Sequence, residues 1–222
     1  MNFKALTLLT LLSVGLMLSG CATKQLKNLK ELAGKSQWQE IAAAEVDCDA
    51  DDEACNQLHL LKGDACYRLA KQNSEPVKHY QCAAEHLESG IHLTTDWSNA
   101  EPTVGPRSQY YENWCESLRL LRSEQTSNTA AAPYNQKLLS CAREFLQAPG
   151  QLRSAATFFL HNAELAAIRF QIGDPGSCQA LSELLREETQ DAQLAAQTRY
   201  AELHRRLLSD INGIKTALPG CP

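Results

Sequence analysis

The sequence predicts an all-α protein of antiparallel helical hairpins stapled by disulfides. Apolar residues recur at helical spacing along most of the chain, without a convincing run of alternating β-branched residues. Turn-forming clusters cut this pattern into helix pairs at intervals of roughly forty residues. Nine cysteines stand among the 222 residues, none in the Cys-x-x-Cys spacing that favours zinc, haem attachment or thioredoxin-like redox chemistry.

The chain opens with Met1-Asn2-Phe3-Lys4, then the apolar run ALTLLTLLSVGLML. That run is short for a transmembrane helix and suits the core of a signal peptide. Leu18-Ser19-Gly20-Cys21 follows directly and resembles the lipobox of bacterial lipoproteins. A plain secretory signal or an uncleaved anchor would leave Cys21 without a role. The resemblance implies that residues 1–20 are a removed signal peptide and that Cys21 carries acyl chains. Each buried methylene of such chains adds about 0.8 kcal/mol to membrane attachment. Ala22, where a retention aspartate would stand, implies the outer membrane, with the protein facing the periplasm.

Residues 21–45 read as the lipidated cysteine, a basic tether and a first helix. Lys24, Lys27, Lys30 and Lys35 face a single Glu31, with Leu26, Leu29 and Ala33 near one side. This pattern suits either a soluble helix or contact with anionic head groups. Residues 46–222 read as one helical domain. It begins with the acidic VDCDADDEAC, whose Asp-x-Asp-x-Asp start resembles a calcium loop. Asp52 stands where an EF-hand needs glycine and Leu58 where it needs a bidentate glutamate, so the segment reads as a solvated acidic turn before a helix starting near Ala54.

Four apolar stripes follow: Leu58, Leu61, Ala65 and Leu69; Val77, Tyr80, Ala84, Leu87 and Ile91; Tyr111, Trp114, Leu118 and Leu121; Tyr134, Leu138, Cys141 and Phe145. NSEP at 73–76 separates the first two, with Ser74 or Glu75 available to cap and Pro76 at a helix start. TTDWSNAEPTVGPR reads as a longer loop. TSNTAAAP separates the next two helices, QAPGQ follows, and GDPGS at 173–177 breaks the third pair.

LLKGDACYRLAKQNSEPVKHYQCAAEHL resembles a tetratricopeptide (TPR) repeat. Gly63 matches the small residue of its first helix, and Tyr80 and Ala83 the large and small residues of its second. Pro76 replaces the usual alanine, and the turn is one residue longer. Segments 110–147 and 154–189 keep the hairpin shape without the glycine. The cysteine-stapled hairpins also resemble Sel1-like repeat proteins, with different cysteine spacing. The resemblance implies a right-handed superhelix whose concave face is lined by first-helix residues, here around Asn56, His59, Lys62, Tyr67 and Arg68.

With Cys21 assigned to lipid, eight cysteines remain, an even number that in an exported chain reads as four disulfides. Cys66 and Cys82 lie on the two helices of one hairpin, as do Cys115 and Cys141. Cys178 reaches Cys221 if the last helix folds back. Cys48 and Cys55 are left for each other, which requires the acidic segment to turn, because two helical turns would hold them too far apart. Cys82 sits off its helix's apolar face, so a partner in a neighbouring hairpin stays open.

Signatures of catalysis are missing: no Gly-x-Ser-x-Gly elbow, His-Glu-x-x-His helix or phosphate-binding glycine loop occurs. His79, His86 and His92 lack ligand-spaced partners and read as surface residues, so no metal or other cofactor is expected. The chain carries a formal net charge of −5, which argues against nucleic acid. Binding rather than catalysis is expected, with a periplasmic or outer-membrane protein as partner, the membrane reached through Cys21, and no small-molecule substrate. TPR lipoproteins that serve as pilotins or accessory subunits of envelope machinery have a similar plan, which implies a scaffold or assembly factor. An immunity or inhibitor lipoprotein acting against a periplasmic toxin enzyme is the alternative.

Overall fold

In this computed structural model, the described residues are 22–50, 52, 54–72, 75–150, 152–174, 176–218 and 221. The signal segment and Cys21 lie outside them, as do Asp51, Glu53 and Ser74. All regular structure among the described residues is helical. Helix α1 covers residues 22–34. It is followed by α2 (Trp38–Ala43), α3 (Cys55–Lys71), α4 (Pro76–Leu93), α5 (Trp97–Val104) and α6 (Arg107–Ser123). Then come α7 (Asn128–Gln147), α8 (Arg153–Phe170), α9 (Ser177–Ala195) and α10 (Ala201–Ala217). None of the described helices is long and apolar enough to cross a membrane.

Local chemistry places the helix starts. Asp52 accepts a hydrogen bond from the Ala54 amide at 3.0 Å, so the acidic turn steers the chain into α3. Pro76 occupies the first turn of α4, where its missing N–H costs nothing, after Glu75 in the left-handed region at φ 41°. Glu75 makes no side-chain capping bond.

Two segments differ from expectation. The stretch read as a loop at 94–107 contains α5, because Asp96 adopts an extended conformation and caps the Ser98 amide. The separator at 126–133 is shorter than it reads: Ser127 caps the Ala130 amide, α7 begins at Asn128, and Pro133 lies inside the helix. The cap outweighs the proline, which stands close enough to the start to interrupt little of the ladder. Val77, expected on a buried stripe, is 43% exposed. It lies in the first turn of α4, and Tyr80 supplies the inward contact there with its ring centroid 6.3 Å from that of Tyr67.

The chain divides into two compact units, Met1–Asn113 and Trp114–Pro222. The first gathers Ala22, Leu26 and Leu29 of α1 with Ile41, Ala54, Leu58, Leu61 and Ala65 in one core. The basic stretch after position 21 is therefore a packed helix, with Lys24, Lys27 and Lys30 exposed on its other side. Helices α3 and α4 form an antiparallel hairpin at very close range. A Cβ on Gly63 would lie 2.6 Å from Leu87 Cγ, and one on Gly90 would lie 2.8 Å from Leu60 Cγ. Each helix offers a glycine notch to the other's leucine.

In the second unit, α7 packs against α8, α8 against α9, and α9 against α10. Leu138, Phe145, Phe159, Leu181 and Ile211 are almost fully buried there. A polar cluster lies among them. Glu188 of α9 is fully buried and meets His161 Nδ1 of α8 and His204 Nδ1 of α10, each at 2.7 Å. His204 Nε2 lies 2.8 Å from the Ser154 carbonyl oxygen. Both nitrogens of His204 thus face acceptors, which only a doubly protonated ring satisfies. Burial alone would pull His204 down; the bonds to Glu188 and Ser154, with the charges of Glu188 and Asp191, outweigh it and leave its pKa raised.

Disulfides join Cys48 to Cys55, Cys66 to Cys82, Cys115 to Cys141 and Cys178 to Cys221, with Cα separations of 5.6, 5.9, 5.7 and 5.5 Å. These coincide with the pairs expected from the hairpins. Cys82 bonds within its own hairpin, and the acidic segment turns to bring Cys48 onto the first residue of α3.

Candidate functional site

The C-terminal half of α3 carries aromatic and charged residues beside its buried face, Tyr67 reaching Tyr80 of α4 from there. Tyr67, Arg68, Lys71 and the following Gln72 line a recess of about 360 Å³ with Trp38 of α2 and Gln109 and Asn113 of α6. Its floor is organised around Asp64, which is 7% exposed. The Asp64 carboxylate accepts from Arg68 Nε at 2.7 Å and from Asn113 Nδ2 at 3.2 Å, so its charge is satisfied.

The same arginine lies over Trp38, with its guanidinium carbon 4.5 Å from the ring centroid. Held by a carboxylate below and an indole face beside it, Arg68 is preorganised, and further N–H groups of its fork remain to donate. Lys71 is exposed and has no ion-pair partner among the described residues. Tyr110 stiffens the neighbouring wall: its hydroxyl donates to the Val104 carbonyl, and burial, with Asp64 nearby, pushes its pKa upward. The recess thus presents two cations, two aromatic rings and three amide side chains on packed helices. That is chemistry for reading a polar, acidic segment of chain.

Of the five residues singled out for the concave face, Tyr67 and Arg68 line this recess, whereas Asn56 donates to Thr94 Oγ1 at 3.1 Å. His59 and Lys62 lie elsewhere on α3 and make internal contacts. Lys62 Nζ donates to the Ala44 carbonyl at 2.6 Å, tying α3 to the end of α2. His59 Nδ1 lies 2.8 Å from His86 Nδ1, joining α3 to α4. Burial, then the Lys62 charge and His59, lower His86 to about 4; burial and Lys62 also lower His59. His86, read as a surface residue, is therefore a half-buried contact of the hairpin.

Trp38, Lys71, Gln109 and Asn113 went unrecognised in sequence because a recess assembled from three helices leaves no local pattern. The histidine pair had a signal. His-Leu-x-x-Gly occurs at 59–63 and again at 86–90, once in each helix, and places both the histidines and the glycine notches. No protein-family model, curated protein or solved structure matches the chain.

Proposed function

We propose that this chain is a lipid-anchored protein of the bacterial outer membrane, facing the periplasm, that holds a partner protein as an assembly factor or scaffold and does not catalyse a reaction. The observation that carries this reading is the recess beside α3, where Arg68 is fixed between Asp64 and Trp38 with Lys71 and the amides of Gln72 and Gln109 around it. A peptide segment bearing a carboxylate matches that set: bidentate pairing to Arg68, a second charge from Lys71, and backbone bonds to the amides. The disulfides support a compartment outside the cytoplasm. The lipobox supports attachment through Cys21, which puts the recess within reach of envelope machinery.

The test uses Lys71→Glu with Gln72→Ala, two exposed positions whose substitution should change stability by within about 0.5 kcal/mol each. A Cys21→Ser form should partition into the aqueous rather than the detergent phase. As bait in envelope extract it should retain a partner that the recess variant does not. Retention by the recess variant would remove the recess from the function, and turnover of a glycan or lipid by purified protein would replace the binding reading with an enzyme.

A further inference from the structure

We propose that His161, Glu164 and Glu187 form a binding site for a divalent first-row transition cation, with Glu188 fixing the histidine in its ligating form. His161 and Glu164 stand at i and i+3 on α8, and Glu187 comes from the facing helix α9. One ligand atom from each lies within 4.8 Å of the other two. That spacing closes onto a single ion through small rotations of the two carboxylates.

The histidine makes this more than a group of acids. It is 4% exposed, so the ring cannot swing out to water. Its Nδ1 faces Glu188 Oε2 at 2.7 Å, and Glu188 accepts from His204 on its other oxygen. Nδ1 of His161 is thereby the donor, and Nε2 is left with its lone pair. Asp191 Oδ2 lies 3.8 Å from Nε2, beyond hydrogen-bond reach. A buried imidazole and carboxylates from two helices thus come together within 4.8 Å, and the one donor on them among the described residues, Arg186 Nη2 on Glu187 Oε1 at 3.1 Å, belongs to an exposed side chain that can turn away. A carboxylate bonded to the far nitrogen of a histidine is the arrangement that orients metal-bound imidazoles and raises their basicity.

Ligand chemistry selects the ion. An imidazole nitrogen with carboxylate oxygens suits zinc, iron or manganese, whereas calcium and magnesium take oxygen ligands alone. Access is available because Glu187 is exposed and Glu164 is only half-buried. Among the described residues, the other group with metal-ligating atoms this close, Cys48, Cys55 and His59, has its two sulfurs bonded to each other. The sequence hides the site because its ligands lie on two helices, and His-x-x-Glu alone is too short to be diagnostic.

Calorimetric titration of the disulfide-bonded protein with zinc chloride should show one equivalent bound and a raised melting temperature. Glu187→Gln, at an exposed position, should leave the metal-free melting temperature unchanged and weaken zinc binding roughly tenfold or more, and Glu188→Gln should weaken it about 10–100-fold. Should Glu188→Gln fail to fold, Glu187→Gln and Glu164→Gln decide alone. Cobalt(II) in place of zinc should show weak visible bands without thiolate charge transfer. Zinc affinity unchanged in Glu187→Gln, a thiolate band, calcium bound in preference to zinc, or no zinc bound at all would each overturn the assignment.

Discussion

Gly63 and Gly90 each face a leucine of the opposing helix at a distance that leaves no room for a methyl group. A Cβ on Gly63 would stand 3.0 Å from the Leu87 backbone nitrogen, and one on Gly90 would stand 2.9 Å from that of Leu60. Side chains can turn away from such contacts, but backbone cannot, so α3 and α4 must separate. Alanine normally stabilises a helix relative to glycine by about 0.5–1 kcal/mol. At Gly63 or Gly90 the overpacking cost of about 1–3 kcal/mol should exceed that gain. Gly213 in α10 has nothing within 4 Å of a built Cβ and supplies the contrast. Chemical denaturation should show Gly63→Ala and Gly90→Ala destabilising and Gly213→Ala stabilising. Equal effects at all three positions would mean that the hairpin is not closely packed. Gly63 was legible in sequence because its repeat-like surroundings marked it. Gly90 lies past the end of the stretch that carries the resemblance, and only the repeated His-Leu-x-x-Gly marks it.

The two hairpin systems respond to pH in opposite directions. His86 is lowered to about 4 in the folded protein and His59 is also lowered, both mainly by burial and then by Lys62. Unfolding lets both rings take up protons below their ordinary value of about 6.5, so α3–α4 loses stability as pH falls from there toward 4. His204 is raised, so its contribution to α8–α10 is complete below about 6.5 and is lost as pH rises through its folded value. Amide exchange, corrected for intrinsic rates, should show α3–α4 opening more readily at pH 5 than at pH 7. Exchange in α10 should become faster as pH rises above about 6.5. His86→Gln should flatten the acid response of α3–α4, and parallel behaviour of both regions would contradict this account. Neither response was legible in sequence, since both depend on partners contributed by other helices. The helices themselves were largely legible from their apolar stripes. The exceptions were α5 and the start of α7, where a single capping side chain, Asp96 or Ser127, decided the outcome within a stretch rich in breakers.

Across the whole molecule each compact unit carries its own pair of disulfides, and the lengths of chain they close differ widely. Cys48–Cys55 spans 7 residues and Cys178–Cys221 spans 43. In the chain-entropy account, closing the shorter loop contributes about 2.4 kcal/mol and the longer about 4 kcal/mol. The comparison is clean for the longer loop because Cys178 and Cys221 are both only partly buried, so replacing them leaves little cavity. This bond also encloses all of α10 and nearly all of α9. The two helices still pack together, with Leu181, Leu184, Leu207 and Ile211 buried. Cys178→Ala with Cys221→Ala should therefore lower the stability of the second unit by up to about 4 kcal/mol. Its first sign should be rapid amide exchange in α10 and exposure of His204, because the helix would be held by its apolar stripe, the bonds to Glu188 and Ser154 and the exposed ion pair of Asp210 with Arg169. Cys48→Ala with Cys55→Ala should cost less and should be felt at the entry to α3. If the first pair cost no more than the second, native contacts rather than loop closure would be holding α10 in place.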